Sequence, residues 1–145
     1  MDQPSERIAV VGTVDPQTVA NSEQLTDAVD MAKWHEAMFI LCLGNMAAET
    51  IDFGVYESAT SGGSYTAVTG KAATQLAAHA SNNDNTQIVI NVKAEELSSG
   101  MRYLKGRAIT GNSTGGPACV VALGLKPRHA PGSDDDLASV VQIVT

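Results

Sequence analysis

The chain has 145 residues, enough for one domain with a real core. Hydrophobic residues make up 43 % but aromatics only 4 %, so the core must be built from Val, Ile, Leu, Met and Ala, and thirteen Gly with frequent Ser, Thr and Asn favour short strands joined by turns. Nine Lys+Arg against sixteen Asp+Glu give a formal net charge of −7, which argues against nucleic acid or an anionic membrane as partner, and no apolar run approaches the length of a bilayer span.

Residues 1–6 read as a loose arm. Asp2, Glu6 and Arg7 stand where a signal peptide would be apolar, so synthesis and retention in a cytoplasm are expected. Ile8 to Val14 predicts a short strand stopped by Asp15-Pro16, followed by a polar loop or one helical turn over 17–26. Thr26 to Met31 alternates weakly and is expected as a strand, with Ala32 to His35 connecting it to the central strand. Met38 to Leu43 is six consecutive apolar residues bounded by Glu36 and by Gly44-Asn45. Successive side chains of a strand point to opposite faces, so this run predicts a central strand covered on both. Each side chain there is worth roughly 1.5–3 kcal/mol on burial.

Thr50 to Ser58 alternates cleanly, with Ile51, Phe53 and Val55 on one face and Asp52, Gly54 and Tyr56 on the other. Ser61-Gly62-Gly63-Ser64 supplies a hairpin turn, and Tyr65 to Val68 begins the return strand. Residues 72–80 are rich in alanine with one large apolar anchor, Leu76, and are expected to be irregular or weakly extended. Ser81 to Asn85 is a turn by composition. Thr86 to Lys93 is a strand with Ile88, Ile90 and Val92 inward. Ala94 to Gly100 is a connection with room for one helical turn. Met101 to Thr110 is a strand whose Arg102, Lys105 and Arg107 suggest a solvated or interface-facing side. After a turn over 111–116, Pro117 to Leu125 is a second doubly apolar strand, a natural neighbour of the first. Two such strands belong either to a sandwich interior or to a subunit contact. Lys126 to Ser133 contains two prolines and a glycine and cannot continue a central strand. The terminal Leu137 to Thr145 is rich in β-branched residues and needs a cover. It either packs on its own sandwich as an edge strand or reaches a neighbouring protomer by strand addition.

Strands without alternating helices, separated by regular turn signals, predict an all-β chain: an antiparallel β-sandwich with extended N- and C-terminal arms. The expected divisions are an arm with a short strand over 1–25, the sandwich over 26–126, and a C-terminal arm over 127–145.

Chemistry is sparse. His35, His79 and His129 lie in separate segments without a nucleophile motif beside them, and neither a Gly-x-Ser-x-Gly elbow nor a phosphate loop is present. Asp134-Asp135-Asp136 lacks the spacing of a calcium loop and reads as solvated charge or a helix-starting turn. Cys42 and Cys119 both fall in predicted strands, as small buried hydrophobes or as a cross-strand disulfide. Trp34, Tyr56, Tyr65 and Tyr103 are the candidate platforms for a sugar. No catalytic, cofactor-binding or metal-ligating residue is expected, and the chain is not expected to be an enzyme.

The order of segments is informative: Asp27-Ala28-Val29-Asp30-Met31, then Phe39 to Gly44, then Tyr56-Glu57-Ser58 with Gly62-Gly63-Ser64-Tyr65, then Asp84 to Val92, then Arg102-Tyr103-Leu104-Lys105, closing on Arg128-His129-Ala130-Pro131 before an apolar terminus. Over roughly 26–130 this resembles the capsid decoration, or cement, proteins of tailed bacteriophages with a β-sandwich or jelly-roll body, which implies that the sandwich is jelly-roll-like. The resemblance implies a virion structural protein on the capsid exterior, made in the host bacterial cytoplasm. It would bind the major capsid protein and itself, as a homo-oligomer with a trimer favoured. The expected protomer or capsid contacts are Ile8 and Val10 with Leu137, Val140, Val141, Ile143 and Val144. A surface binding module or adhesin for a glycan or receptor, or a tail-tube or tail-terminator component, is the alternative.

Overall fold

The computed structural model describes residues 3–46, 50–76, 84–111 and 114–145. After a short helical turn, α1 (Pro4–Arg7), the strands are β1 (Ile8–Val19), β2 (Glu23–Leu25), β3 (Val29–Asp30), β4 (Trp34–Leu43), β5 (Ile51–Ser58), β6 (Thr66–Ala72), β7 (Gln87–Lys93), β8 (Tyr103–Thr110) and β9 (Gly116–Pro127). Short 3-10 turns stand at Ala94–Glu96 and Gly132–Asp135.

The strands pair in nested fashion: β1 with β9, β2 and β3 with β8, β4 with β7, β5 with β6, all antiparallel. The chain is thus one long hairpin with its tip in the turn after Ser58, rolled so that β4 also meets β9 and β5 also meets β8. Two sheets result, ordered β1-β9-β4-β7 and β2-β8-β5-β6, with β3 attached to β8. This is an antiparallel sandwich, as the strand spacing predicts, with the jelly-roll winding that the resemblance implies.

Period-two burial builds the core. Ala37, Phe39, Leu41 and Leu43 of β4 and Ala118, Val120 and Ala122 of β9 point inward, meeting Ile51, Phe53 and Val55 of β5 and Leu104 and Ala108 of β8. Two glycines let the layers close. A Cβ at Gly106 of β8 would lie 2.9 Å from Phe39 Cδ1, which crosses from the opposite sheet. A Cβ at Gly124 of β9 would collide with the indole of Trp34, which lies 1 % exposed against that strand.

Several expected boundaries move. β1 does not stop at Asp15-Pro16. Its register slips between Val14 and Gln17, so these two residues bulge opposite Cys119 and pairing resumes to Val19. Residues 8–19 are therefore a strand of the sandwich, and the segment 1–25 is not an arm along its length. The loop or helical turn expected over 17–26 contains β2, and the strand expected over 26–31 shrinks to Val29–Asp30, because Thr26 and Asp27 turn their side chains to backbone groups. Trp34 and His35 belong to β4 rather than to a connection, and β9 runs on through Pro127, opposite Trp34. A proline is tolerated there because it ends the strand. The Ala-rich segment is extended as far as Leu76, which bridges to Ile51; its remainder, with His79 and the start of the following turn, lies outside the described residues.

The C-terminal segment is anchored through Leu137, on which Val140 closes a turn. Gly132 is buried against the far edge of Trp34, where a Cβ would lie 3.1 Å from Cη2. Lys33 Nζ pairs with Asp135 at 2.7 Å, Val10 N donates to Asp136 Oδ1 at 2.7 Å, and Leu137 N donates to Val10 O at 2.9 Å. The three aspartates thus point to different partners or to water. Asp136 and Leu137 occupy part of the free edge of β1. No strand forms over 136–145, so the terminal run is not an edge strand of its own sandwich.

Candidate functional site

The sandwich has two outer faces of opposite character. On the four-stranded sheet, the alternation that points Phe39 and Val120 inward turns their neighbours outward, and these neighbours are also apolar. Cross-strand registers set them in rows: Ile8 beside Leu125; Val10, Leu123 and Met38; Val121, Ile40 and Val89; Cys119 beside Cys42. All are at least partly exposed, Ile8 at 36 % and Val89 at 50 %. The two doubly apolar strands are neighbours, as their composition suggests, but the cover expected on both faces is present on one only. Contiguous apolar surface of this kind is uncommon on a soluble monomer and marks contact with another molecule.

The terminal tail, which follows the contact of Asp136 and Leu137 with the β1 edge, is also apolar and exposed. Val141 is 94 % exposed, Val144 83 % and Ile143 44 %. Of the seven residues expected to make protomer or capsid contacts, the structure brings Val10 and Leu137 together through their backbones. Ile8 stands on the same strand as Val10, and Val140 closes a turn on Leu137 with an N–H donated to its carbonyl at 2.9 Å. Val141, Ile143 and Val144 are exposed and make no contact with the other four among the hydrogen bonds described.

The opposite outer face, on the β2-β8-β5-β6 sheet, is aromatic and charged. All three tyrosines of the chain lie there, each beneath a cation: Arg102 is 5.1 Å from the Tyr103 ring centre, Lys105 4.9 Å from Tyr65, and Arg107 5.0 Å from Tyr56. Two of the pairs are tied to carboxylates. Arg102 donates through Nε and Nη2 to the two oxygens of Asp30, both at 2.7 Å, and this holds the Asp30 carboxyl below its ordinary value. Arg107 donates to Tyr56 Oη at 2.8 Å and forms an ion pair with Glu23; these two partners raise its own affinity for the proton. Burial, and then the neighbouring Tyr103, push the Tyr65 hydroxyl above its ordinary value. Two shallow depressions of about 230 and 410 Å³ adjoin on this face and share Tyr56 and Arg107 as a common rib. Trp34, grouped with the tyrosines on sequence grounds, is buried and presents no platform.

Among the described residues the histidines do not meet each other. His35 and His129 are exposed. His35 borders an open cleft of about 530 Å³ whose Glu36 and Lys126 pair with each other at 2.6 Å. Among the described residues no group of three or more His, Cys, Asp or Glu is arranged to hold a metal ion. Cys42 and Cys119 are free thiols directly opposite each other on β4 and β9. Burial, and then the neighbouring Cys42, push the Cys119 thiol above its ordinary value.

The apolar outer face was signalled by the unbroken hydrophobic runs at 38–43 and 117–125. The tyrosine face was signalled in its parts, by the three tyrosines and by the cationic side of Met101 to Thr110, but not in its assembly. It forms only when the β5–β8 register sets Tyr56 opposite Lys105 and the hairpin turn brings Tyr65 beside them.

No family model and no curated protein matches the sequence. Solved structures are similar in shape at low identity. A chain from Broad Bean Stain Virus matches at TM-score 0.47 and 8 % identity, over 91 % of this chain and 92 % of that one. The K3 cleaved adhesin domain of Lys-gingipain from Porphyromonas gingivalis matches at 0.43 and 15 %, over 70 % of this chain and 61 % of the domain. A chain from infectious bursal disease virus Gt strain matches at 0.44 and 11 %, over 88 % of this chain and 33 % of the viral one. The chain thus spans under two thirds of the adhesin domain and one third of the bursal disease virus chain. With TM-scores below 0.5, none of these likenesses bears on what the chain does.

Proposed function

We propose that the chain is a non-enzymatic structural protein of a virus particle, attached to the outer surface of a phage capsid and bracing neighbouring major capsid protein subunits, with self-association into a trimer or similar ring. The observation that supports this most is the uncovered apolar face of β9 and β4, to which the chain adds a second exposed apolar segment, Val141, Ile143 and Val144. A rigid jelly-roll slab with one greasy side and a greasy strap is suited to being pressed between other subunits. Burying those side chains gives the attachment its energy, at about 25 cal/mol per Å² of apolar surface removed from water. The tail would add further apolar contacts, strengthening a joint that the face has already located.

The test places charge on the face without touching the core. The outward pair Ile40→Lys and Val121→Lys is made together, and separately residues 140–145 are removed. Sedimentation velocity should show an oligomer for the unaltered chain and monomers for the double lysine variant with an unchanged far-UV circular dichroism spectrum. Empty shells of the cognate capsid should withstand heating better with the unaltered chain than with either variant. A monomeric wild-type chain that leaves shell stability unchanged would overturn the reading.

A further inference from the structure

We propose that the groove across β5 and β8, centred on Tyr56 and Arg107, is a binding site for a short uncharged oligosaccharide. It lies on the face opposite the apolar one, so a copy held by the latter still presents it outward. The chain has few aromatic side chains, and those not committed to the core, its three tyrosines, are gathered on this one face.

The groove's chemistry selects the class of ligand. Its polar groups are planar and two-sided: the guanidinium of Arg107 and the carboxylates of Glu23 and Asp52, the last accepting a hydrogen bond from Gln75 Nε2 at 2.7 Å. Such groups offer two parallel donors or acceptors, which suits vicinal hydroxyls that both donate and accept. Between them Leu25, Ile109 and Ala72 supply apolar floor for the C–H faces of a sugar ring. The local charges cancel: Arg107 and Lys105 stand against Glu23 and Asp52. A sulfated or phosphorylated ligand would meet two carboxylates, and a cationic one two cations, whereas a neutral polyol meets a balanced set of partners. A peptide strand finds no ladder here, because β5 and β8 are each paired on both sides and the groove crosses their faces rather than an edge. The groups are also held in advance, Arg107 by Tyr56 and Glu23 and Asp52 by Gln75, so little side-chain freedom is lost on binding.

The experiment applies the full chain to an array of immobilised neutral and acidic glycans, then follows backbone amide shifts of the isotopically labelled chain with soluble cello-, xylo-, malto- and manno-tetraose. The expected result is binding to at least one neutral glycan, with saturable shifts confined to strand residues around Gly54, Tyr56 and Arg107. Tyr56→Ala and the near-isosteric Asp52→Asn should each weaken it about tenfold or more. Tyr103→Ala, on the same face but outside the groove, should leave it unchanged. Asp52→Asn keeps the test valid should Tyr56→Ala loosen the sheet. Binding only to acidic glycans, no binding to any glycan, or shifts of these residues that follow protein concentration alone would each overturn the proposal, the last by assigning the face to a second copy of the chain. The double lysine variant of the apolar face should still bind, so failure of the bracing role and failure of this site are distinguishable.

Discussion

The contact between Phe39 and Gly106 joins the two sheets through the middle of the sandwich, and it can be tested by a double-mutant cycle. Phe39 is fully buried on β4, and its ring lies where a side chain at residue 106 of β8 would begin, with Cδ1 2.9 Å from that Cβ position. Thr26 Cγ2 stands 3.3 Å from the same point and limits any sideways escape. Phe39→Ala removes a whole buried ring and should cost about 3–5 kcal/mol. With an unfolding entropy of about 2.1 cal/mol/K per residue, a chain of this length loses roughly 3 °C in Tm per kcal/mol, so the expected fall is about 10–16 °C. Gly106→Ala adds one methyl into occupied space and should cost about 1–3 kcal/mol, less the fraction of a kcal/mol that alanine recovers by restricting the unfolded chain. In the Phe39→Ala background the added methyl enters the space the ring has left. The double variant should therefore lose less than the sum of the single losses, by about 1–3 kcal/mol. Urea titrations at fixed pH measure each corner, with the emission of the single buried Trp34 and far-UV circular dichroism followed together. Additivity within about 0.5 kcal/mol would refute the claim that this ring excludes a side chain at residue 106.

Three further outcomes are expected. Asp30 has its carboxyl held down by Arg102, so the unfolded chain binds that proton more readily than the folded one. The contribution is complete above the ordinary aspartate value of 3.8 and is lost as pH falls through the lower folded-state value, so Asp30→Asn should flatten the decline of the urea midpoint below about pH 4; parallel curves for the two proteins would sink the assignment. Asp136→Ala takes the acceptor from Val10 N, and amide exchange at Val10 and Leu137 should speed up about ten- to a hundredfold while Leu41 in the core keeps its protection. Cys42 and Cys119, as cross-strand partners, have Cα atoms within disulfide reach, so treatment with diamide should close an intramolecular bridge with loss of two hydrogens, faster as pH rises toward the raised Cys119 value; two alkylatable thiols surviving the oxidant would contradict this register.

The limits of sequence reading come from how far each signal travels along the chain. Ile51-Phe53-Val55 and Ile88-Ile90-Val92 were legible because period-two alternation is a local property and burial follows it directly. The bulge at Asp15-Pro16 was not, since the proline reads as a stop and only the partner β9 shows pairing resuming beyond it. The strand at Val29–Asp30 is shorter than its alternation suggests, because alternation cannot report that Thr26 and Asp27 spend their side chains on backbone groups. The contact residues proposed at Ile8, Val10 and the tail came from apolar composition at a chain end, whereas Leu123, Val121, Ile40 and Val89 became candidates only once strand order showed which side of β4 and β9 stays uncovered.

By itself, then, the sequence determined an antiparallel sandwich of short strands with two unusually greasy ones and an acidic, motif-poor exterior, because hydrophobic periodicity and turn chemistry act over a few residues. The rolled order of the strands, the division into an apolar face and a tyrosine face, and the meeting of Tyr56, Tyr65 and Arg107 were decided only in three dimensions. Each depends on register between segments tens of residues apart, and a register is fixed by the packing of the whole core rather than by any one stretch of chain.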